Sequence, residues 1–110
     1  MEPIVTLAER KQAEARRRQQ AVASLKHELA AYARAHGGRF IVFGSAARQD
    51  MRYDSDVDIL VDSSPDDDAA AWDFAERACW DRRLEPDLMR RFWRKPGFLE
   101  HIAADSETLG

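Results

Sequence analysis

Asp56 and Asp58 stand two residues apart at the start of the apolar run Ile59-Leu60-Val61. On a strand that spacing sends both carboxylates out of one face, while Val57, Ile59 and Val61 take the other, so one face is core and the other is chemistry. Two like charges held this close repel and raise a pKa unless a cation lies between them. Mg²⁺ answers that need, because it takes oxygen ligands and is shared between one or two carboxylates and substrate phosphates. Upstream, the apolar run Phe40-Ile41-Val42-Phe43 breaks at Gly44-Ser45, with ten residues between that pair and Asp56. A glycine between strand and helix lets backbone approach a phosphate closely, and the free N–H groups of the following turn favour an anion. Ser45 adds a hydroxyl. Arg48 and Arg52 lie one turn apart on the same short helix and face the phosphates, unless one of them pairs with Asp50 or Asp54.

A third acid comes from Leu84-Glu85-Pro86-Asp87-Leu88-Met89. Glu85 and Asp87 share a parity, with Pro86 and Leu88 opposite. Laid beside the Asp56-Asp58 strand, this segment lets Asp87 complete a three-carboxylate cluster that binds two metal ions for an in-line displacement. Asp87 can also accept the proton of an attacking hydroxyl. Parity alone leaves Glu85 as the competing choice. The three histidines, His27, His36 and His101, have no second histidine or cysteine at ligand spacing and read as structural or exposed. Cys79 falls on the apolar face of a helix and reads as a packed core thiol. Trp72 and Trp80 read as core or edge packing. Trp93, flanked by Arg90, Arg91, Arg94 and Lys95, reads as the border of a nucleotide or partner site.

These residues need a scaffold, and the chain supplies one in order. From Thr6 to Ala35 there is no glycine or proline, which predicts one long helix capped by Thr6 with Glu9 and ended by Gly37-Gly38. Val22, Leu25 and Leu29 recur at helical spacing, so the second half is expected on the core. The first half, with Arg10, Lys11 and Arg16-Arg17-Arg18, reads as a solvated surface or a projecting arm for a partner subunit. Arg39–Phe43 reads as a strand buried on both faces. Ser45 to about Met51 reads as a short helix capped by Ser45, Val57–Val61 as a second strand, and a loop from Ser63 leads to a helix through about Arg83. Pro86 confines the third strand to an edge or places it at the strand's start. A last short helix covers Pro96–Ala103, and the tail from Asp105 is expected to be loosely held. The order implies an α/β domain with a small sheet of three to four strands flanked by helices.

Composition narrows the partners. The 110 residues make one modest core, with residues 1–37 as a helical extension and 38–110 as the domain that carries the chemistry. A net charge of −3 gives no basic footprint, so nucleic acid is not an expected partner. One cysteine excludes an internal disulfide, and no apolar stretch reaches the roughly 18 to 20 residues of a membrane helix. With no signal-peptide hydrophobic region at Met1, a cytoplasmic location is expected.

Gly44-Ser45, ten residues, Asp56-Val57-Asp58 and a later Asp87 together resemble the DNA polymerase beta-like nucleotidyltransferase superfamily. Gly44-Ser45-Ala46-Ala47-Arg48, followed by Asp54-Ser55-Asp56-Val57-Asp58-Ile59-Leu60-Val61, is similar to the minimal nucleotidyltransferase (MNT) proteins. The resemblance implies a small mixed sheet, transfer of a nucleoside monophosphate from a nucleoside triphosphate to a hydroxyl, Gly44 and Ser45 on the triphosphate, Asp56 and Asp58 on Mg²⁺, and Asp87 as third acid. It also implies a HEPN-type toxin as partner, modified with AMP from ATP on a tyrosine. Two departures stand out: Gln49 replaces a glycine usual in the family, and the long N-terminal helix is an addition that either covers the sheet, mediates a homodimer or replaces the partner surface of the better-known antitoxins. A partner-binding module without catalysis, and a transferase for aminoglycoside-type small molecules, are the competing expectations.

Overall fold

The computed structural model describes residues 6–90 and 97–110. Helix α1 runs Leu7–His36, and its start is fixed where the Thr6 hydroxyl accepts the Glu9 N–H at 3.1 Å. It ends where Gly37 and Gly38 take φ of +81° and +79°, and the Gly37 N–H bonds the Ala33 carbonyl. Strands β1 (Arg39–Phe43), β2 (Val57–Asp62), β3 (Pro86–Arg90) and β4 (Ser106–Leu109) form one mixed sheet in the order β3-β2-β1-β4. β1 is antiparallel to both neighbours, whereas β3 runs parallel to β2. A parallel pair needs a crossover, and α3 (Asp68–Asp81) provides it. Helices α2 (Ser45–Arg48) and α4 (Phe98–Ile102) complete the chain.

One sheet face carries the main core. Val22, Leu25 and Leu29 of α1 and Ala75 and Cys79 of α3 pack on Phe40, Val42, Val57, Ile59 and Val61. Burial pushes the Cys79 thiol up to about 12, as suits a packed and unreactive side chain. The opposite face is not chemistry alone, as its parity suggested. Ile41, Leu60 and Met89 form a second apolar cluster there, with Phe43 and Phe98 against it. The Phe43 and Phe98 rings meet edge to face at 5.8 Å. Hence β1 is apolar on both sides, and Asp58 shares its face with Leu60.

Three further expectations change. The tail is no loose end: β4 pairs with β1 from Phe40↔Leu109 to Phe43↔Ser106 and buries Leu109. Trp80 is 56% exposed rather than packed, because α3 turns it away from the sheet; Trp72, half-buried, lies against the Arg90 guanidinium at 4.0 Å. The first half of α1 is the solvated surface expected, but it does not project as an arm. Arg17 donates to the Arg82 and Arg83 carbonyls at 2.8 and 2.7 Å, and Gln19 accepts the Met51 N–H. The stretch around Trp93 lies outside the described residues. No described helix is long and apolar enough to cross a membrane.

Candidate active site

The sheet register brings the acids together. β2 and β3 run parallel with Asp58 opposite Asp87, and on the other side Asp58 lies opposite Phe43, the residue before Gly44. Three chain segments therefore converge at one end of the sheet: the exit of β1, the entry of β2 and the entry of β3. Gly44 takes φ +68° and ψ −147°, a region essentially reserved for glycine. A Cβ placed there would lie 2.6 Å from Asp58 Oδ2, so the glycine leaves the space that the carboxylate occupies. The corner is held from outside by the Gly44 N–H, which donates to the Asp105 carbonyl at 3.2 Å, while the Gly44 carbonyl accepts from Ala47 and Arg48.

The electrostatics follow from this crowding. Burial first, then the hydrogen bond to Asp87 and the charges of Asp87 and Asp56, push Asp58 up to about 6, against a smaller opposing pull from Arg48. Asp56 is also raised, by burial first and then by Glu85. The four carboxylates thus form two pairs, Asp58 with Asp87 and Asp56 with Glu85. Among the described residues no three acidic, histidine or cysteine side chains already converge as a metal cage. The donor set nonetheless fits a divalent cation: it is all oxygen, crowded enough to hold a proton near neutrality, and beside a glycine that leaves the Asp58 carboxylate its space.

The flanking residues differ more from expectation. α2 is a single turn that ends at Arg48, with Gly44 rather than Ser45 at its N-cap. The Ser45 hydroxyl donates to the Met51 sulfur at 3.4 Å. Arg48 stays beside the site and pairs with Asp50 at 3.1 Å and Asp105 at 3.7 Å. Arg52 is not on that helix: the chain has turned by then, its N–H bonds Ser55 Oγ, and its side chain lines an open groove with Lys11, Met51 and Tyr53. The helix stops because Gln49 adopts the left-handed conformation, φ 64° and ψ 34°. Glycine enters that conformation without strain, so Gln49→Gly is expected to raise stability by about 0.5–1 kcal/mol in urea denaturation, the relieved strain less glycine's added chain entropy. A loss of stability would show that the Gln49 side chain holds the turn.

Two residues near the acids differ from expectation. Asp105, assigned to a loose tail, contacts the Gly-Ser corner through its carbonyl. Arg18, hidden in the run Arg16-Arg17-Arg18, is buried and bonds Glu85 and the Ser55 carbonyl. Its signal was spacing: Arg18 precedes Val22 and Leu25 by four and seven positions, on the buried stripe.

A family model described as nucleotidyltransferase domain matches residues 22–106, more than half of the chain. The chain belongs to that family. No curated protein and no solved structure matched the chain. As a nucleotidyltransferase of the DNA polymerase beta-like group, the protein is a transferase that acts on a nucleoside triphosphate. The matched residues contain Gly44, Ser45, Asp56, Asp58 and Asp87 together, and begin within α1 at Val22.

Proposed function

We propose that this nucleotidyltransferase uses Mg²⁺ to move AMP from ATP onto a hydroxyl of a partner protein, a HEPN-type toxin for which it serves as antitoxin. The observation that carries the chemistry is the meeting of Gly44 with Asp58 and Asp87 at one end of the sheet. Similarity to the MNT proteins supports the choice of partner. Gly44 lets the backbone pass close beside the Asp58 carboxylate, and the Ser45 and Ala46 N–H groups precede the first hydrogen bonds of α2, which Ala47 and Arg48 make to the Gly44 carbonyl. The Ser45 hydroxyl gives up only a weak bond to the Met51 thioether when a phosphate oxygen replaces it. Asp56, Asp58 and Asp87 would hold the cation, which supplies neutralising charge and polarises the phosphate. Asp87 accepts the proton as the acceptor oxygen attacks the α-phosphorus and pyrophosphate leaves. Arg48, already beside Asp58, adds positive charge at the rim.

The test is transfer of labelled AMP in the presence of Mg²⁺ and the product of the neighbouring gene. Asp56→Ala, Asp58→Ala and Asp87→Ala are each expected to lower transfer by roughly 100-fold or more, while each variant still folds. Transfer that persists in both Asp56→Ala and Asp58→Ala sinks the assigned site. Neutralisation of the partner without label or ATP binding replaces catalysis with binding by contact.

A further inference from the structure

Arg18 is buried, yet it lies outside the residues matched by the family. A buried guanidinium is tolerated only when its donors are used, and here they are spread over three segments of the chain. Nε donates to Glu14 Oε1 at 3.0 Å within α1. Nη1 donates to the Ser55 carbonyl at 2.8 Å, and Nη2 to Glu85 Oε1 at 3.3 Å. Ser55 immediately precedes Asp56. On the other side of Asp56, the Val57 N–H donates to the Glu85 carbonyl at 2.8 Å. One side chain on α1 thus fixes the peptide before Asp56 and the residue that receives the peptide after it.

We infer that Arg18 is a positioning residue, which sets the place of Asp56 by clamping Ser55 and Glu85, and so makes the N-terminal helix part of the cation site. The inference rests on the reading of the acids as that site. Glu14 completes the clamp: hydrogen bonding from Arg17 and then Arg18 holds its carboxyl down to about 2, so it remains an anion that keeps both arginines in place. Arg17 offers a matched comparison. It comes from the same turn and also ties α1 to the body, but through the Arg82 and Arg83 carbonyls rather than the residues flanking Asp56.

Charge and geometry predict opposite signs. A cation 3.3 Å from Glu85 repels a second cation, so a purely coulombic role means that removing Arg18 tightens metal binding. A positioning role means that removal weakens it. The probe is Mn²⁺ alone, titrated against the full chain and followed by the electron paramagnetic resonance of the free ion, with a thermal melt of each variant. Arg18→Met is expected to weaken Mn²⁺ binding roughly 10- to 100-fold. Arg18→Lys, which keeps one charge but cannot span three acceptors, is expected to weaken it about tenfold and keeps the test open should the methionine variant not fold. Arg17→Ala is expected to lower the melting temperature and to change Mn²⁺ affinity much less than the Arg18 variants do, because Glu14 still accepts from Arg18 Nε. Unchanged or tighter binding in the Arg18 variants overturns the clamp, as does an equal loss in Arg17→Ala. Wild-type protein that binds Mn²⁺ no better than Asp58→Ala instead removes the reading of the acids on which the clamp depends.

Discussion

Changing Asp58 to asparagine is expected to stop nucleotidyl transfer and, without divalent cation, to make the folded chain more stable at pH above about 6. Asp58 is held against Asp87 with Asp56 beside it, and its folded-state pKa is raised from 3.8 to about 6. Between those values the folded chain binds more protons than the unfolded one. Stability therefore falls as pH rises through that window, and the penalty is complete above it. In full, the shift corresponds to roughly 3 kcal/mol, and water access to the carboxylate reduces this to about 1 kcal/mol. Asparagine keeps the shape, can donate to Asp87 and carries no charge. Urea denaturation in EDTA across this range should show wild type losing stability towards neutral pH while Asp58→Asn stays flatter. Adding Mg²⁺ at about 100 times its dissociation constant should return about 2.7 kcal/mol to wild type and little to the variant. Parallel pH profiles for the two proteins would show that Asp58 is not under this strain.

The sequence revealed the centre of the molecule better than its rim, and the reasons are physical. Phe40–Phe43 signals a doubly covered strand because four apolar residues run without alternation, and the structure covers both faces. Parity survives any small error in strand ends and so narrowed the third acid to Asp87 or Glu85, and the register aligns Asp87 with Asp58. Ser-Glu-Thr-Leu, by contrast, hides β4. An edge strand with one pairing partner needs a single buried residue, Leu109, and leaves no periodic trace. The end of α2 was hidden because a left-handed residue stops the helix, and glutamine does not announce that conformation. Arg18 was missed because residue type outweighed position. A basic run reads as solvated even when one member falls on the buried stripe, and only long-range partners such as Ser55 and Glu85 reveal the difference.

Gly44→Ala should be damaging in a way that reports on Asp58. The backbone at φ +68° and ψ −147° costs an alanine about 1–3 kcal/mol by itself. The new methyl would also sit 2.6 Å from Asp58 Oδ2, closer than any permitted contact, and at an ordinary 3.7 Å from its Cγ. Something must give, and the carboxylate can move more readily than the Gly44 peptide, which is pinned by Asp105, Ala47 and Arg48. The expected result is therefore a stable fold with a displaced Asp58, and transfer reduced at least as far as by loss of the carboxylate. A double-mutant cycle separates strain from collision. In an Asp58→Ala background the collision disappears and the backbone strain remains, so Gly44→Ala should cost less there, with a coupling of roughly 0.5–3 kcal/mol. Costs that add to within about 0.5 kcal/mol would mean that glycine is required at position 44 for its backbone alone. A measured coupling would tie the glycine to the acid, and show that its missing side chain is what lets the Asp58 carboxylate keep its place.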